Sequence, residues 1–172
     1  FSPDKTKWFN QQYMMQKDNA ELAELFAPIV EKNVIESSEK QSASLEYITK
    51  VVSLIKERAT FVADFWELSN FFFKNPSEYD AKASKKNWKE ATPELMKELI
   101  AVLEGIEDFS SLNIETIVKE WITGKEIGFG KVMQPFRLSL VGAMKGPHLF
   151  DIAEMIGKKA TVERIQNAIS AL

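Results

Sequence analysis

The segment between Gly130 and Ile152 combines residue types that could hold a planar, hydrogen-bonding ligand. Gln134 offers an amide and Arg137 a guanidinium, and both groups can hydrogen-bond the edges of unstacked RNA bases. Gly146-Pro147 predicts a stiff turn that presents residues 148–150, and apolar or planar groups pack on base faces. The alternative is that the polar pair lies on an ordinary surface and the apolar residues of the turn belong to the core.

Pro135 lies between Gln134 and Arg137, where a helix would otherwise be continuous. A proline removes one backbone donor from a helix interior, which costs on the order of 3 kcal/mol. Unless Pro135 lies in the first turn of its helix, we therefore expect the surrounding fold to offset that cost.

The sequence shows no catalytic motif. It contains no cysteine and a single histidine, His148, which excludes disulfides, thiolate zinc sites and multi-histidine metal sites. A phosphate-binding loop after a strand and a metal-binding His-Glu pattern are both missing. Gly124, Gly128 and Gly130 are interpreted as helix caps and loop glycines. We expect no catalytic site and no metal site on this chain.

Composition indicates a globular protein with a substantial core. The 172 residues are 45% hydrophobic, which excludes an intrinsically disordered tail. The net charge of −3 argues against a general nucleic-acid binder, although the C-terminal third is less acidic than the rest. No apolar run approaches the ~20 residues of a membrane span, and residues 1–16 lack a signal-peptide pattern. We expect a cytoplasmic protein and interpret the start at Phe1 as that of an excised piece.

Helix signals run from end to end without strand alternation. We predict an all-α fold of about ten short helices in two stacked helical subdomains, residues 1–78 and 79–172. The first helix is expected to turn aromatic and apolar side chains towards the core, namely Trp8, Phe9, Tyr13 and Met14. Pro28 predicts a kink or an early stop in the second helix. Thr92-Pro93 predicts a helix start, and two short helices are expected after the turn at residues 146–147.

Three stretches carry a resemblance to a known family. The chain opens with Phe-Ser-Pro-Asp-Lys-Thr-Lys-Trp-Phe-Asn-Gln-Gln-Tyr, continues after residue 132 with Met-Gln-Pro-Phe-Arg and Gly-Ala-Met-Lys-Gly-Pro-His-Leu-Phe, and closes with Ile-Gly-Lys-Lys-Ala-Thr-Val-Glu-Arg-Ile. In this order they resemble the C-terminal anticodon-binding region of bacterial-type glutamyl-tRNA synthetases, which are class I aminoacyl-tRNA synthetases. The resemblance covers nearly the whole chain.

The resemblance implies a role for eight residues. Gln134 and Arg137 would hydrogen-bond the first two anticodon bases, and Pro147 and Leu149 would form the apolar part of that pocket. Arg58 matches an arginine near the third base. The positions that touch the tRNA body in the family match Lys5, Trp8 and Lys50.

Simpler interpretations stay open for several of these residues. Pro147 and Leu149 are also typical of a rigid turn and of core packing. Arg58 follows an apolar helix, where an arginine is also favoured by the helix dipole. Trp8 is of a residue type that is more often part of a core. His148 falls at a variable position of the motif and is expected to be exposed rather than functional.

The resemblance also implies partners. The chain would bind glutamate tRNA and act with an N-terminal catalytic domain in the same polypeptide, which would use ATP and magnesium to attach glutamate; neither of that domain's two ATP-binding motifs occurs here. We expect a monomer without membrane or DNA partners. The main alternative is a helical protein–protein interaction domain. A DNA-binding helical domain is disfavoured by the negative net charge.

Overall fold

The computed structural model describes residues 3–36 and 43–172, and over these ranges it is helical and without strands, which confirms the predicted all-α class. The α-helices within these ranges are α1 Pro3–Gln16, α2 Asn19–Glu36, α3 Leu45–Ile55, α4 Phe65–Ser69, α5 Ala81–Asn87, α6 Thr92–Glu104, α7 Ser111–Gly124, α8 Gly130–Val141 and α9 Leu149–Ala171. Short 3-10 turns occur at Lys56–Arg58, Val62–Asp64 and Asn70–Phe72.

The chain divides into two compact units, Phe1–Lys74 and Asn75–Leu172. The helical subdomains that the sequence suggests, residues 1–78 and 79–172, stay a prediction. The first unit is built around the packing of α2 against α3. Its core is aliphatic and aromatic, and its fully buried members include Leu22, Phe26, Val51, Val52, Ile55, Phe65 and Phe71.

Pro28 does not stop its helix. α2 continues through this residue to Glu36, so the early stop predicted from the sequence is wrong. The proline is exposed, as is Glu24 one turn earlier. Since the carbonyl of Glu24 is the one that loses its helical partner, water can satisfy it at this surface, which lowers the cost of the proline.

The aromatic side chains of α1 do not form the predicted core. Trp8, Phe9 and Tyr13 are 56%, 66% and 63% exposed, and of the four expected core residues only Met14 is buried. α1 packs against the 3-10 turn that follows α3, where Lys56 Nζ donates to the carbonyl oxygens of Met15 and Lys17. The aromatic side chains of this helix lie largely in solvent.

The second unit packs α6, α8 and α9 around one another, with α7 against α6 and α9 and α5 against α8. α6 begins at Thr92, as the sequence predicts. α9 contains a break at Gly157, so two helical pieces end the chain as expected. Large side chains fill the core, including Met96, Leu99, Leu103, Ile114, Ile122, Phe136 and Phe150.

One charged side chain is buried in this unit. Arg164 on α9 is 4% exposed; its Nε donates to Asn75 Oδ1 at 2.9 Å and its Nη1 to the Leu140 carbonyl oxygen at 2.7 Å. Leu140 lies in the last turn of α8, where helix carbonyls lack partners within the helix. Arg164 therefore completes the end of α8 and connects it to the first residue of the unit.

Candidate nucleic-acid interface

α8 carries the predicted polar pair on one side, because Gln134 and Arg137 are three residues apart. Gln134 is exposed and Arg137 is half-buried. Pro135 lies beyond the first turn of α8, so the helical hydrogen bond to the carbonyl of Lys131 cannot form. Burial of the proline ring offsets part of this loss. Ser139 Oγ donates to the Pro135 carbonyl oxygen at 2.8 Å, one turn further along α8.

The guanidinium of Arg137 is hydrogen-bonded to the turn that follows α8. Its Nη1 donates to the Lys145 carbonyl oxygen at 3.0 Å and to the Pro147 carbonyl oxygen at 2.8 Å. Bonds from a charged donor are stronger than neutral ones, so Arg137 fixes the main chain of the turn relative to α8. Residue types alone gave no sign of this structural role.

Two glycines give the turn its path. Gly142 ends α8 with a φ of +84°, and Gly146 has a φ of +105°; side-chain-bearing residues rarely adopt this region. A Cβ atom on Gly142 would lie 2.5 Å from the Glu78 carbonyl oxygen and 2.9 Å from Pro76 Cβ. The chain therefore leaves α8 against the segment that precedes α5, in a space that only glycine fits.

The apolar residues of the turn face the protein interior. Pro147 is buried, Leu149 is 3% exposed and Phe150 is fully buried, with its ring 6.3 Å from that of Phe136 in an edge-on arrangement. His148 is exposed. The side chains that the turn exposes to solvent are those of Met144, Lys145 and His148, while the buried Pro147 and Leu149 set its position.

A second contact holds the turn from α7. Glu115 Oε2 lies 2.8 Å from His148 Nε2, and Glu115 Oε1 lies 2.8 Å from Lys119 Nζ. The hydrogen bonds from Lys119 and from His148 lower the pKa of the Glu115 carboxyl below its usual value. The turn is thus held by Arg137 on one helix and by Glu115 on another.

Arg58 lies in the first unit, at the end of the 3-10 turn that extends α3. Its side chain is exposed. The next residue, Ala59, is 1% exposed and has extended backbone. A buried small residue directly after the turn fixes the main chain from which the guanidinium projects.

Lys5 and Trp8 share the exposed side of α1, three residues apart. Lys50 on α3 is also exposed, and its Nζ lies 3.9 Å from Glu46 Oε1.

A cavity of about 460 Å³ lies between α1 and the segment that follows Arg58. Its lining residues are Pro3, Thr6, Lys7, Asn10, Thr60, Phe61 and Asp64.

Comparison with known protein families identifies the family of this chain. The family described as the anticodon binding domain matches residues 21–169. The chain belongs to this family of anticodon-binding domains. The matched range of the anticodon-binding domain includes Arg58, Gln134, Arg137 and the turn at residues 145–148.

Curated relatives agree with this membership. The anticodon-binding domain is 65% identical over all 172 residues to the glutamate–tRNA ligase of Flavobacterium johnsoniae and 63% identical to that of Flavobacterium psychrophilum. In both comparisons the chain spans 33% of the relative's length. The alternative of a helical protein–protein interaction domain finds no support in these comparisons.

Solved structures match as well. A glutamate tRNA ligase from Elizabethkingia meningosepticum in complex with its amino acid matches the whole anticodon-binding domain with a TM-score of 0.86 and 43% identity, over 33% of that chain. The glutamate-tRNA synthetase from Elizabethkingia anophelis matches 99% of the domain with a TM-score of 0.81 and 42% identity, over 32% of that chain.

The described residues of the anticodon-binding domain show no group of three or more histidine, cysteine, aspartate or glutamate side chains that could hold a metal ion. Within the same ranges, no helix is both long and apolar enough to cross a membrane.

Proposed function

We propose that this chain recognises the anticodon of glutamate tRNA as part of a glutamate–tRNA ligase. The observation that carries the proposal is the family match over residues 21–169, joined to 65% identity over the whole chain with a glutamate–tRNA ligase. The exposed amide of Gln134, three residues before the Arg137 that bonds to the turn, gives the proposal a physical basis, because such groups can hydrogen-bond unstacked bases.

In this proposal, the first two anticodon bases lie against α8 and the turn. Gln134 and Arg137 hydrogen-bond the base edges, and the hydrogen bonds from Arg137 to the turn keep the guanidinium in one orientation. Pro147 and Leu149 belong to the apolar side of the pocket. Since both are buried, they support it from behind, by holding the main chain against which a base packs.

Arg58 is proposed to select the third anticodon base. Its exposure at the end of the 3-10 turn leaves room for a nucleotide. A guanidinium only donates hydrogen bonds, in a rigid planar fork, so it accepts only base edges rich in acceptors. Such a contact discriminates between bases rather than simply adding affinity.

Lys5, Trp8 and Lys50 are proposed to touch the tRNA body. Exposure of all three supports this role, and Trp8 in particular is not used in the core. The Lys50–Glu46 ion pair is exposed and is worth little, so Lys50 can exchange it for a phosphate.

In this proposal, the attachment of glutamate to the tRNA is catalysed by another part of the ligase. A catalytic domain that precedes this chain would attach glutamate to the tRNA with ATP and magnesium, and the chain would supply recognition. We further propose that the protein acts as a monomer in the cytoplasm, where tRNA is charged.

The test is a titration of the chain with glutamate tRNA and with the same tRNA carrying an altered anticodon, at low and at moderate salt. Tighter binding of the native anticodon at both salt concentrations is the expected result, because base contacts survive when phosphate contacts are screened. Equal binding of the two tRNAs, or none, would overturn the proposal and return the protein–protein interaction domain as the better interpretation.

A further inference from the structure

A concentrated basic surface lies on α5, the short helix that packs against α8. Residues 81–89 contain four lysines and no acidic residue, in a chain with a net charge of −3. Lys82, Lys85 and Lys86 have the i, i+3 and i+4 spacing that places side chains on one helix face, and all three are exposed. We call this face the α5 lysine face.

The other side of α5 is turned inward. Ala83, Ser84 and Asn87 are half-buried, and Asn87 Nδ2 is bonded to the Ala83 carbonyl oxygen at 3.0 Å. The lysines are thus on the solvent side of a helix whose other side packs against α8. A fourth ammonium group is added by Lys89, which donates to the Lys85 carbonyl oxygen at 3.0 Å.

Carboxylates do not neutralise the α5 lysine face in the described part of the chain. Among the ion pairs formed by residues 3–36 and 43–172, none involves Lys82, Lys85 or Lys86. The adjacent carboxylate of Asp80 is engaged as the helix cap, with Oδ1 accepting from the Ala83 N–H at 2.7 Å. Three like charges on one short helix repel each other, a cost that a bound polyanion removes.

The α5 lysine face is also joined to the base-recognition helix. α5 packs against α8, and the N–H of Asp80 donates to the Gly142 carbonyl oxygen at 2.8 Å. Arg137 precedes Gly142 by five residues, which is about 8 Å along a helix axis. The start of α5 therefore lies close to the helix end that carries the proposed base contacts.

We propose that the α5 lysine face binds the phosphate backbone of the tRNA whose anticodon α8 and the turn recognise. This inference rests on the proposed function and extends it with a second, sequence-independent contact. Lysine is a compact point charge suited to phosphates, and phosphate contacts fix the register of a nucleic acid while base contacts specify it. An acidic protein surface is the competing ligand, and the test below separates the two.

The experiment uses two triple variants of the 172-residue chain. The first carries Lys82→Gln, Lys85→Gln and Lys86→Gln, and the second carries arginine at the same three positions, which keeps the charge. Affinity for glutamate tRNA with the native and with an altered anticodon is measured over a range of salt concentrations. The matched control is Lys97→Gln with Lys159→Gln, two exposed lysines of the same unit. Circular dichroism checks that each variant is folded.

The glutamine variant is expected to bind both tRNAs about tenfold or more weakly at 0.1 M salt, and the slope of log affinity against log salt should fall by about one for each lysine that contacts a phosphate. The ratio between native and altered anticodons should stay unchanged. The arginine variant should behave like the original chain, and the control should keep the original slope.

An unchanged slope in the folded glutamine variant would overturn the inference while leaving the proposed function intact, provided that the original chain still prefers the native anticodon. If the original chain binds both tRNAs equally but loses slope in the glutamine variant, the inference stands and the anticodon proposal fails. Absence of tRNA binding by the original chain overturns both and favours an acidic protein ligand for the face.

Discussion

The Nη1 atom of Arg137 lies 2.8 Å from the carbonyl oxygen of Pro147, ten residues further along the chain. The residue proposed to read a base is thus also the residue that holds the neighbouring turn. Since the proposed base contact and the bonds to the turn belong to the same side chain, a loss of binding in an Arg137 variant would have two physical sources, and they must be measured separately.

Arg137→Ala is expected to weaken binding of the native anticodon by about 1–3 kcal/mol, the usual cost of a lost base contact. It should also lower the free energy of unfolding by about 1–3 kcal/mol, since two carbonyl groups lose a charged donor. tRNA titration measures the first effect and urea unfolding the second.

Gln134→Ala is the control for this variant. Gln134 is exposed, so its loss should change stability by less than about 0.5 kcal/mol while still weakening the native anticodon. If Arg137→Ala stays folded and loses less than a few tenths of a kcal/mol in binding, the base contact is not made by this residue.

Arg58→Gln should relax discrimination at the third anticodon base. Glutamine both donates and accepts hydrogen bonds, so it tolerates base edges that a guanidinium rejects. The measurement compares binding of tRNAs whose anticodons end in C and in G, with Glu57→Gln as an exposed neighbouring control. An unchanged preference between the two tRNAs would contradict the assignment of Arg58.

Gly142→Ala should destabilise the second unit by about 2 kcal/mol or more. The φ of +84° costs about 1–2 kcal/mol in the left-handed region, and the added Cβ would lie 2.5 Å from a backbone oxygen of Glu78. Gly124→Ala is the control, since a Cβ there meets nothing within 4 Å. Urea unfolding of both variants tests this, and equal stabilities would show that the exit from α8 can shift without cost.

Glu115→Gln should reduce stability at neutral pH by about 0.2–1 kcal/mol, the range of exposed ion pairs. The bonds from Lys119 and His148 lower the pKa of Glu115 from its usual value of 4.5, so its ionised form is favoured in the folded protein. That contribution is complete above pH 4.5 and is lost as pH falls through the lowered pKa.

The stability difference between the original chain and Glu115→Gln is therefore expected to vanish in acid, as pH falls through the lowered pKa of Glu115. Thermal unfolding from pH 3 to pH 7 measures it. A difference that does not shrink as pH falls from 4.5 to 3 would rule out this origin.

Proline and glycine in the sequence correctly predicted where one helix starts and where the chain turns. Thr92-Pro93 correctly marks the start of α6, and the paired Gly146-Pro147 correctly marks a turn. The early stop predicted at Pro28 was wrong, because a proline on the exposed side of a helix is tolerated. The spacing of apolar residues in α1 gave no sign that Trp8 would lie in solvent.

Long-range contacts of the site could not be predicted from one sequence. Glu115 and His148 are separated by 33 residues, and nothing in the pattern around either residue indicates the other. The resemblance pointed to Arg137 as a contact for a base, yet its bonds to the turn depend on how α8 ends at Gly142. Such contacts follow from packing rather than from periodicity.

The burial of Arg164 bears on how this protein can be divided into shorter pieces. Its guanidinium reaches across 89 positions to the amide oxygen of Asn75, so the opening residue of the second unit is held by its final helix. A truncated version that begins at Ser77 would lose that acceptor for the Nε–H of Arg164, while the bond from Nη1 to the Leu140 carbonyl oxygen would stay. A version that begins at Lys74 would keep the Asn75 acceptor. Shorter pieces that contain the last helix should therefore also contain Asn75.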